Sequence, residues 1–475
     1  MYAKFRLFVC GTSVFVFGGV FPVSAETLQE AVRSAISNHP SVVAAKASHK
    51  AADRDVRAEV SGYFPEISVS ASGGRVYQDN ATSRGLVTER GAAYSGYGEG
   101  ALSMSQMVFD GMETHSRVAA AKARLRSYED ALGDVEEEIA LRTAQSYLDV
   151  MRARQALILI QQQSQGIKDY YTRIQAMFDE GVVDESELQQ ARDVGMIVDG
   201  ALADYEAQLS SAQAGYYEAT GGMPEDRLVR PSSLDSIVPD AVQDAIQIAK
   251  ANHFGLKSAV EEAKAAGLDI DVARADYFPD ISGELSILKS DKKDVIGGES
   301  EDQRALLRMN WQFSTGGKQI AYVDKKKYKH EEAKARIHEI EREVERDVYQ
   351  TYADYRAAEK KRKLSVERVK LNEKLFGAYE TQFEGSRVSL LHVMRAQSQL
   401  FNARLEATDN DFRFLSAQYA VLTSMGYLKS ALDASEMVRQ EYNDSTPAPA
   451  HAMSAYVENG TLKMVTSSEE GLPQD

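Results

Sequence analysis

The chain has 475 residues, 27% of them charged, a formal net charge of −16 and a single cysteine, Cys10. Such a length accommodates two or three ordinary domains. The acidic balance argues against nucleic-acid partners, and one cysteine excludes a disulfide framework within the chain.

MYAKFR opens the chain with Lys4 and Arg6, LFVCGTSVFVFGGV follows as a short apolar run, and Val23-Ser24-Ala25 is a small-residue cleavage site before Glu26. This pattern predicts a secretory signal peptide over 1–25. An uncleaved anchor is the rival reading, against which stands the shortness of the run for a membrane span. Leu7-Phe8-Val9 before Cys10 lacks the small residues of a lipoprotein signal. Cleavage therefore leaves a cysteine-free chain and takes the formal charge from −16 to −18. Beyond residue 25 no apolar stretch approaches membrane-helix length, so entry into a membrane requires a β-barrel.

The rest of the chain is written twice. AVRSAISNHPSVVAAKASHKAADRDVRAEVSGYFPEIS (31–68) lies without a gap over AIQIAKANHFGLKSAVEEAKAAGLDIDVARADYFPDIS (245–282), 214 residues on. The expected domains are a first repeat over 26–222, an inter-repeat linker over 223–238, where Pro224 and Pro231 fall, and a second repeat over 239–430. Residues 431–475 are expected to be a disordered acidic tail.

Each repeat begins with short helices and turns at YFP into a strand pair, predicted at about 65–109 and about 279–315. Ile281, Gly283, Leu285 and Ile287 alternate with Ser282, Glu284 and Ser286. The partner strand sets Leu307, Met309, Trp311 and Phe313 against Arg308, Asn310 and Gln312. One apolar and one polar face is the pattern of a lipid-facing, water-lumened barrel. Four strands are too few to close one, so several chains must pool theirs. A surface hairpin on a soluble core is the bland alternative, but no further strands exist for it to join.

After each strand pair comes a long proline-free helical hairpin, predicted at about 112–221 and about 317–427. Its first arm spans roughly 100 Å at about 1.5 Å per residue. Apolar residues at three- and four-residue spacing between charges indicate coiled-coil packing. The fold class is mainly α with a β-barrel portion.

With these pieces in order, residues 26–430 resemble the TolC family of outer-membrane efflux and type I secretion ducts. The carrying features are the Asn38-His39-Pro40 helix turn, the YFP corners at Pro65 and Pro279, and the tips FDEGVVDESELQQAR (178–192) and FEGSRVSLLHVMRAQSQLFNAR (383–404). The resemblance implies a homotrimer with a twelve-stranded outer-membrane barrel, four strands from each chain. A periplasmic α-helical coiled-coil barrel continues it. Its implied partners are outer-membrane lipid, a periplasmic adaptor (membrane-fusion) protein and an inner-membrane ABC or RND pump. The implied localisation is the outer membrane of a Gram-negative cell. The missing lipid-bearing cysteine tilts this toward a TolC-like or type I role. A structural or adhesive coiled-coil protein is the alternative from another class.

Function is then expected at the helix turns farthest from the barrel. Asp184-x-x-Glu187 has capping-box form, with Asp184 accepting helix N–H groups and Glu187 reaching back. Ser186 and Glu187 match the Thr-Asp of the family's first tip. The family's partner Tyr and Arg fall on Phe383 and Val388, so the hydroxyl and the charge are lost, with Arg387 one place earlier. Where the family rings its constriction with two aspartates, this chain has His392 and Arg395. Residues three apart share a helix face; the pair lines the channel, excluding cations, or points sideways into the helix seam. No cofactor, metal or enzyme activity is expected: HEEAKARIH (330–338) is not HExxH spacing, SGYGEG (95–100) does not open a helix, and no nucleophile or acid/base constellation converges.

Overall fold

The computed structural model describes residues 26–78, 93–234, 237–292, 299–312, 315–385, 387–433, 457–458 and 461–462. The expected signal peptide, both loop tips between the strands and most of the expected tail lie outside these residues.

The first repeat runs α1 (Leu28–Asn38), α2 (Pro40–Ser61), β1 (Glu66–Gln78), β2 (Ala93–Phe109), α3 (Glu113–Asp179) and α4 (Glu185–Thr220). The second runs α5 (Val242–Asn252), α6 (Phe254–Ala275), β3 (Asp280–Lys292), β4 (Glu299–Asn310), α7 (Lys318–Glu384) and α8 (Leu390–Ser424). Helices α3 and α7 have 67 residues each, and their starts and ends are both 205 residues apart. The duplication is therefore kept element by element.

Local chemistry sets the boundaries. Thr27 and Glu30 form a reciprocal capping box at α1, satisfying two N–H groups that the helix leaves free. Pro40 opens α2, where its missing N–H costs nothing. At the end of α2, Tyr63 and Phe64 donate to Val60 and Ser61 carbonyls, and Tyr277 and Phe278 repeat this on Arg274 and Ala275. Pro65 and Pro279 follow with no N–H to continue the helix, and the strands begin at the next residue.

The four long strands form one antiparallel sheet in the order β1-β2-β3-β4. Val69 faces Leu102, which faces Ile287, and Met104 faces Leu285. These share one face with Ile67, Leu307 and Met309, and the exposure of Val69 (76%) and Leu307 (75%) shows that nothing among the described residues covers it. Ser68 and Ser103 are hydrogen bonded at 2.7 Å on the other face. There too the Arg308 guanidinium binds both oxygens of Glu284 at 2.7 and 2.8 Å. A bulge between Met107 and Phe109 shifts the register so that Phe109 faces Ile281. The bulge, invisible in the alternation, puts Phe109 on the apolar side.

Aromatic residues bracket the apolar face. Tyr77 lies toward its outer end; Tyr63, Phe64, Tyr277 and Phe278 lie at the helix corners, all more than 40% exposed. From Ile67 to Tyr77 is ten residues; at about 3.3 Å per residue and a tilt of about 40° the band is about 25 Å tall. Trp311 departs from expectation. Strand β4 ends at Asn310, because the chain is already leaving the sheet toward α7; the Trp311 indole N–H donates to the Tyr277 carbonyl at 3.2 Å. Phe313 lies outside the described residues.

The return from sheet to helix uses two successive left-handed residues in each repeat: Gly111 and Met112 (φ 64° and 71°), then Gly316 and Gly317 (φ 60° and 85°). A Cβ on Gly111 would sit 2.6 Å from the Ala275 carbonyl oxygen, whereas one on Gly316 meets nothing within 4 Å. Gly316→Ala is therefore expected to cost about 1–2 kcal/mol. Gly111→Ala must cost more, because the clash adds to the same strain. Equal unfolding midpoints for the two variants would contradict this difference.

Near the sheet, α3 packs on α2 and α6, and α7 packs on α6. Farther away α3 pairs with α4, α7 with α8, and the two hairpins meet through α3 and α8. The main core lies midway, where α1, α5 and the inter-repeat segment wrap the long helices. The Tyr147 hydroxyl meets the Glu26 and Val229 carbonyls at 2.8 and 2.7 Å, and Tyr352 donates to the Asp240 carbonyl. Glu26 and Asp240 are themselves 214 residues apart, so the two tyrosines make the same bond in both repeats. The segment between the repeats is packed, with Leu234 and Val238 buried. Residues 431–433, expected to open the tail, belong instead to a helical segment. Residues 428–433 are helical, and Leu428, Ala431 and Leu432 are buried in this core.

Candidate functional site: the helix turns at the far end

A second apolar cluster holds the two helical hairpins together toward their turns. Ile160, Ile167 and Ile174 on α3 and Leu188, Ala191 and Val198 on α4 meet Leu390, Val393 and Met394 on α8. The seven-residue spacing of the isoleucines is the coiled-coil seam read from the sequence.

In the first turn, Asp184 is the N-cap of α4 and accepts from the Glu187 N–H at 3.1 Å and the Ser186 hydroxyl at 2.6 Å. The Ser186 hydroxyl, then the Glu187 N–H, hold the Asp184 carboxyl below its usual range. Only this half of the expected capping box forms; among the described residues no bond runs from the Glu187 carboxylate back to Asp184. The three residues form one turn because a carboxylate at N-cap reaches the orphan N–H groups two and three residues on.

In the second turn, Phe383 is half-buried against the apolar cluster, which is what a phenyl ring without a hydroxyl does there. Arg387 is exposed in the turn itself. His392 is also exposed, but it is held on two sides. Its Nδ1 lies 3.0 Å from the Ser389 hydroxyl, and its ring stacks on Tyr379 of α7 with centroids 6.4 Å apart. Arg395, one turn on, is exposed. His392, Arg395, Gln399, Asn402 and Glu406 make one exposed stripe along α8, as spacings of three and four residues require.

The structure thus joins Asp184, Ser186 and Glu187 in one turn, and among the described residues no hydrogen bond or ion pair links them to Phe383, Arg387, His392 or Arg395. Tyr379 was missed in the sequence. The signal was available: residues 379 and 392 are nearly equidistant from the turn of an antiparallel hairpin and must face each other. Tyr170 on α3 was missed too. Its hydroxyl approaches Glu380 of α7 at 3.4 Å, and burial with the nearby carboxylate pushes the phenol up to about 12.

The two surfaces of the helical wall now separate. Helix α7 comes near α3 at Tyr170–Glu380, while Tyr205 and Gln208 of α4 and Asn402 and Glu406 of α8 line one groove, where Arg152 of α3 binds Asp409 at 2.8 Å. Helices equivalent under the duplication therefore lie on the same surface, as in a wall built from repeated hairpins. An uncovered apolar sheet face, a polar reverse face and a wall of repeated helical hairpins are the parts of a trans-envelope duct. The family model described as outer membrane efflux protein matches residues 31–222 and 245–427, one span in each repeat. The chain belongs to this family. It is an outer-membrane efflux duct, its sheet in the outer membrane and its helices on the periplasmic side.

Its relatives are consistent with this. Outer membrane efflux protein BepC of Brucella suis biovar 1 is 23% identical over 406 residues, 85% of this chain and 86% of that one. Protein CyaE of Bordetella pertussis is 22% identical over 415 residues, 86% of this chain and 85% of its own length. In fold, the chain is similar to the Campylobacter jejuni CmeC outer membrane channel, with a TM-score of 0.73, 15% identity, and coverage of 92% of this chain and 97% of that one.

Proposed function

We propose that three copies of the chain form the passive exit duct of a tripartite assembly, in which an inner-membrane ABC or RND pump and a periplasmic adaptor drive cargo through it. The observation that carries this is the four-stranded sheet. Its edges, β1 and β4, pair with no further strand among the described residues, and an edge of that length has to be paired. Twelve strands from three copies make a closed barrel with the apolar face outside and the Ser68–Ser103 and Glu284–Arg308 face inside.

The turns are the closed end of the duct. Asp184 and Ser186 fix the first turn of α4 and carry Glu187, while Phe383 packs as an apolar anchor in place of a hydroxyl-bearing ring. Arg387 supplies a charge at the second turn. The α8 stripe faces the lumen, so three Arg395 side chains ring its narrow end. His392, drawn toward Tyr379 and Ser389, contributes less. A ring of fixed positive charge repels cations at short range. The expected result is a closed-state leak that favours anions, with Arg395→Glu inverting the preference. Bi-ionic reversal potentials of purified protein measure it; an unchanged permeability ratio in the variant removes Arg395 from the lumen.

A further inference from the structure

Within one copy, the α7–α8 hairpin carries a groove lined by Glu373, Phe376, Gln397, Leu400, Phe401 and Arg404. Its third wall is α3 of the other repeat, contributing Leu159, Gln162 and Gln163. Moving the hairpin lining back by the 205-residue repeat gives Lys168, Tyr171, Arg192, Gly195, Met196 and Asp199. All six line a groove on the α3–α4 hairpin. Even the ion pair recurs with its signs exchanged: Arg404 binds Glu373 at 2.9 Å, and Lys168 lies 3.6 Å from Asp199. The two grooves are the same feature.

They differ in the third wall. The α3–α4 groove is open: a Cβ on Gly195 would meet nothing within 4 Å, and Met196 and Ile197 are 59% and 63% exposed. Moving Leu159, Gln162 and Gln163 forward by the same repeat gives Leu364, Glu367 and Arg368 on α7. Leu364 is 54% exposed and Leu371, two turns on, 67%. These residues do not close the groove of their own chain, because the hairpins meet through α3 and α8; beyond the midway core, where α1 and α5 touch α4 and α7, the described residues leave α4 and α7 as the outer edges. The missing wall has to come from another copy.

The side chains fit that placement. Gln163 reaches Ser398 at 3.5 Å within the chain; the equivalent positions are Arg368 and Asp193, a charged pair in place of a neutral one. Gln162 and Gln397, which both line the closed groove, become Glu367 and Arg192, again of opposite sign. Gly166, which packs tightly on Gln397, becomes Leu371. The edges therefore stand farther apart between copies than within one, a gap that an arginine–aspartate pair spans better than glutamine and serine. Arg368 also binds Glu406 in its own chain, and five N–H donors allow it both partners.

We propose that Leu364, Glu367 and Arg368 of one copy close the α3–α4 groove of the next, with Arg368 paired to Asp193 of the partner subunit and Glu367 to Arg192 of the partner subunit. The seam rests on the trimeric reading above and gives it a register: the contact is head-to-tail, and a third copy closes the ring.

Cysteine pairs test it in the full-length protein with Cys10→Ser. Leu364→Cys with Gly195→Cys, treated with a short bis-maleimide, is expected to move the monomer band to covalent dimers and trimers on denaturing gels. The equivalent Leu159→Cys and Leu400→Cys pair is expected to cross-link only within monomers. A trimer by native mass that yields monomers from the first pair and internal cross-links from the second overturns the seam alone. A protein that is not a trimer by native mass overturns the reading beneath it as well. Charge reversal supplies an independent readout: Arg368→Asp or Asp193→Arg alone is expected to lower the temperature at which trimers dissociate, and the double reversal to restore it. Failure of the double variant to recover overturns the ion pair.

Discussion

Leu102→Arg is expected to destabilise the duct in lipid by about 2–4 kcal/mol per copy and to deplete the chain from outer-membrane fractions. Ser103→Arg, one residue on, is expected to leave both nearly unchanged. The contrast follows from register. Leu102 stands between Val69 and Ile287 in the middle of the uncovered apolar face, where a guanidinium finds no water. Ser103 stands between Ser68 and Ser286 on the reverse face, where it is solvated. Urea unfolding in lipid vesicles measures the first quantity and membrane fractionation the second. Equal tolerance of the two arginines would mean that the sheet does not face lipid.

The second large effect concerns pH. Glu137 on α3 is 3% exposed, and its carboxylate accepts the N–H groups of Leu428 and Lys429 at 3.0 and 3.1 Å, capping the helix at 428–433. Burial pushes its carboxyl up from 4.5 to about 7, outweighing the two N–H bonds and the Lys429 ammonium. A carboxyl raised on folding holds a proton in the folded chain that the unfolded chain has lost. Stability is therefore greatest below about pH 4.5 for this group and falls as pH rises to about 7, by roughly 3 kcal/mol per copy in all. The difference in unfolding free energy between the native chain and Glu137→Gln, followed from pH 5 to pH 8, isolates it from other titrating groups. A constant difference across that range would show that Glu137 is ionised throughout.

These two sites mark what the sequence discloses and what it hides. The sheet was legible because alternation has period two, and it sets Val69, Leu102 and Ile287 in one row of the apolar face and Ile67, Met104 and Leu285 in the next. The helix hairpins were legible because the repeats register without a gap, Tyr147 on Tyr352 and Gly221 on Gly426. Glu137 was not. In Glu136-Glu137-Glu138 three like charges read as a solvated face, and only the return of residues 428–433, some 290 residues later, buries the middle one.

The same holds at the far end. Capping at Asp184 is local and was visible, and Tyr379 can be set opposite His392 by counting from the turn, whereas the approach of Tyr170 to Glu380 depends on how α3 and α7 pack. Burial of Leu428, Ala431 and Leu432 escaped notice for a similar reason, since composition beyond residue 431 turns polar just where the core still needs Leu432. The shift of register at Phe109 is a one-residue bulge, and alternation alone cannot place it. What needs long-range packing was unreadable; what needs only period, punctuation or repetition was on the page.

Conductance of the purified protein in a planar lipid bilayer tests the central claim most directly. A water-filled duct through barrel and helical wall predicts discrete conductance steps from trimeric preparations. They should be larger and longer-lived when Glu187→Ala and Arg387→Ala loosen the helix turns. A trimer that inserts into the bilayer yet stays electrically silent, with the turns intact or loosened, would contradict the duct.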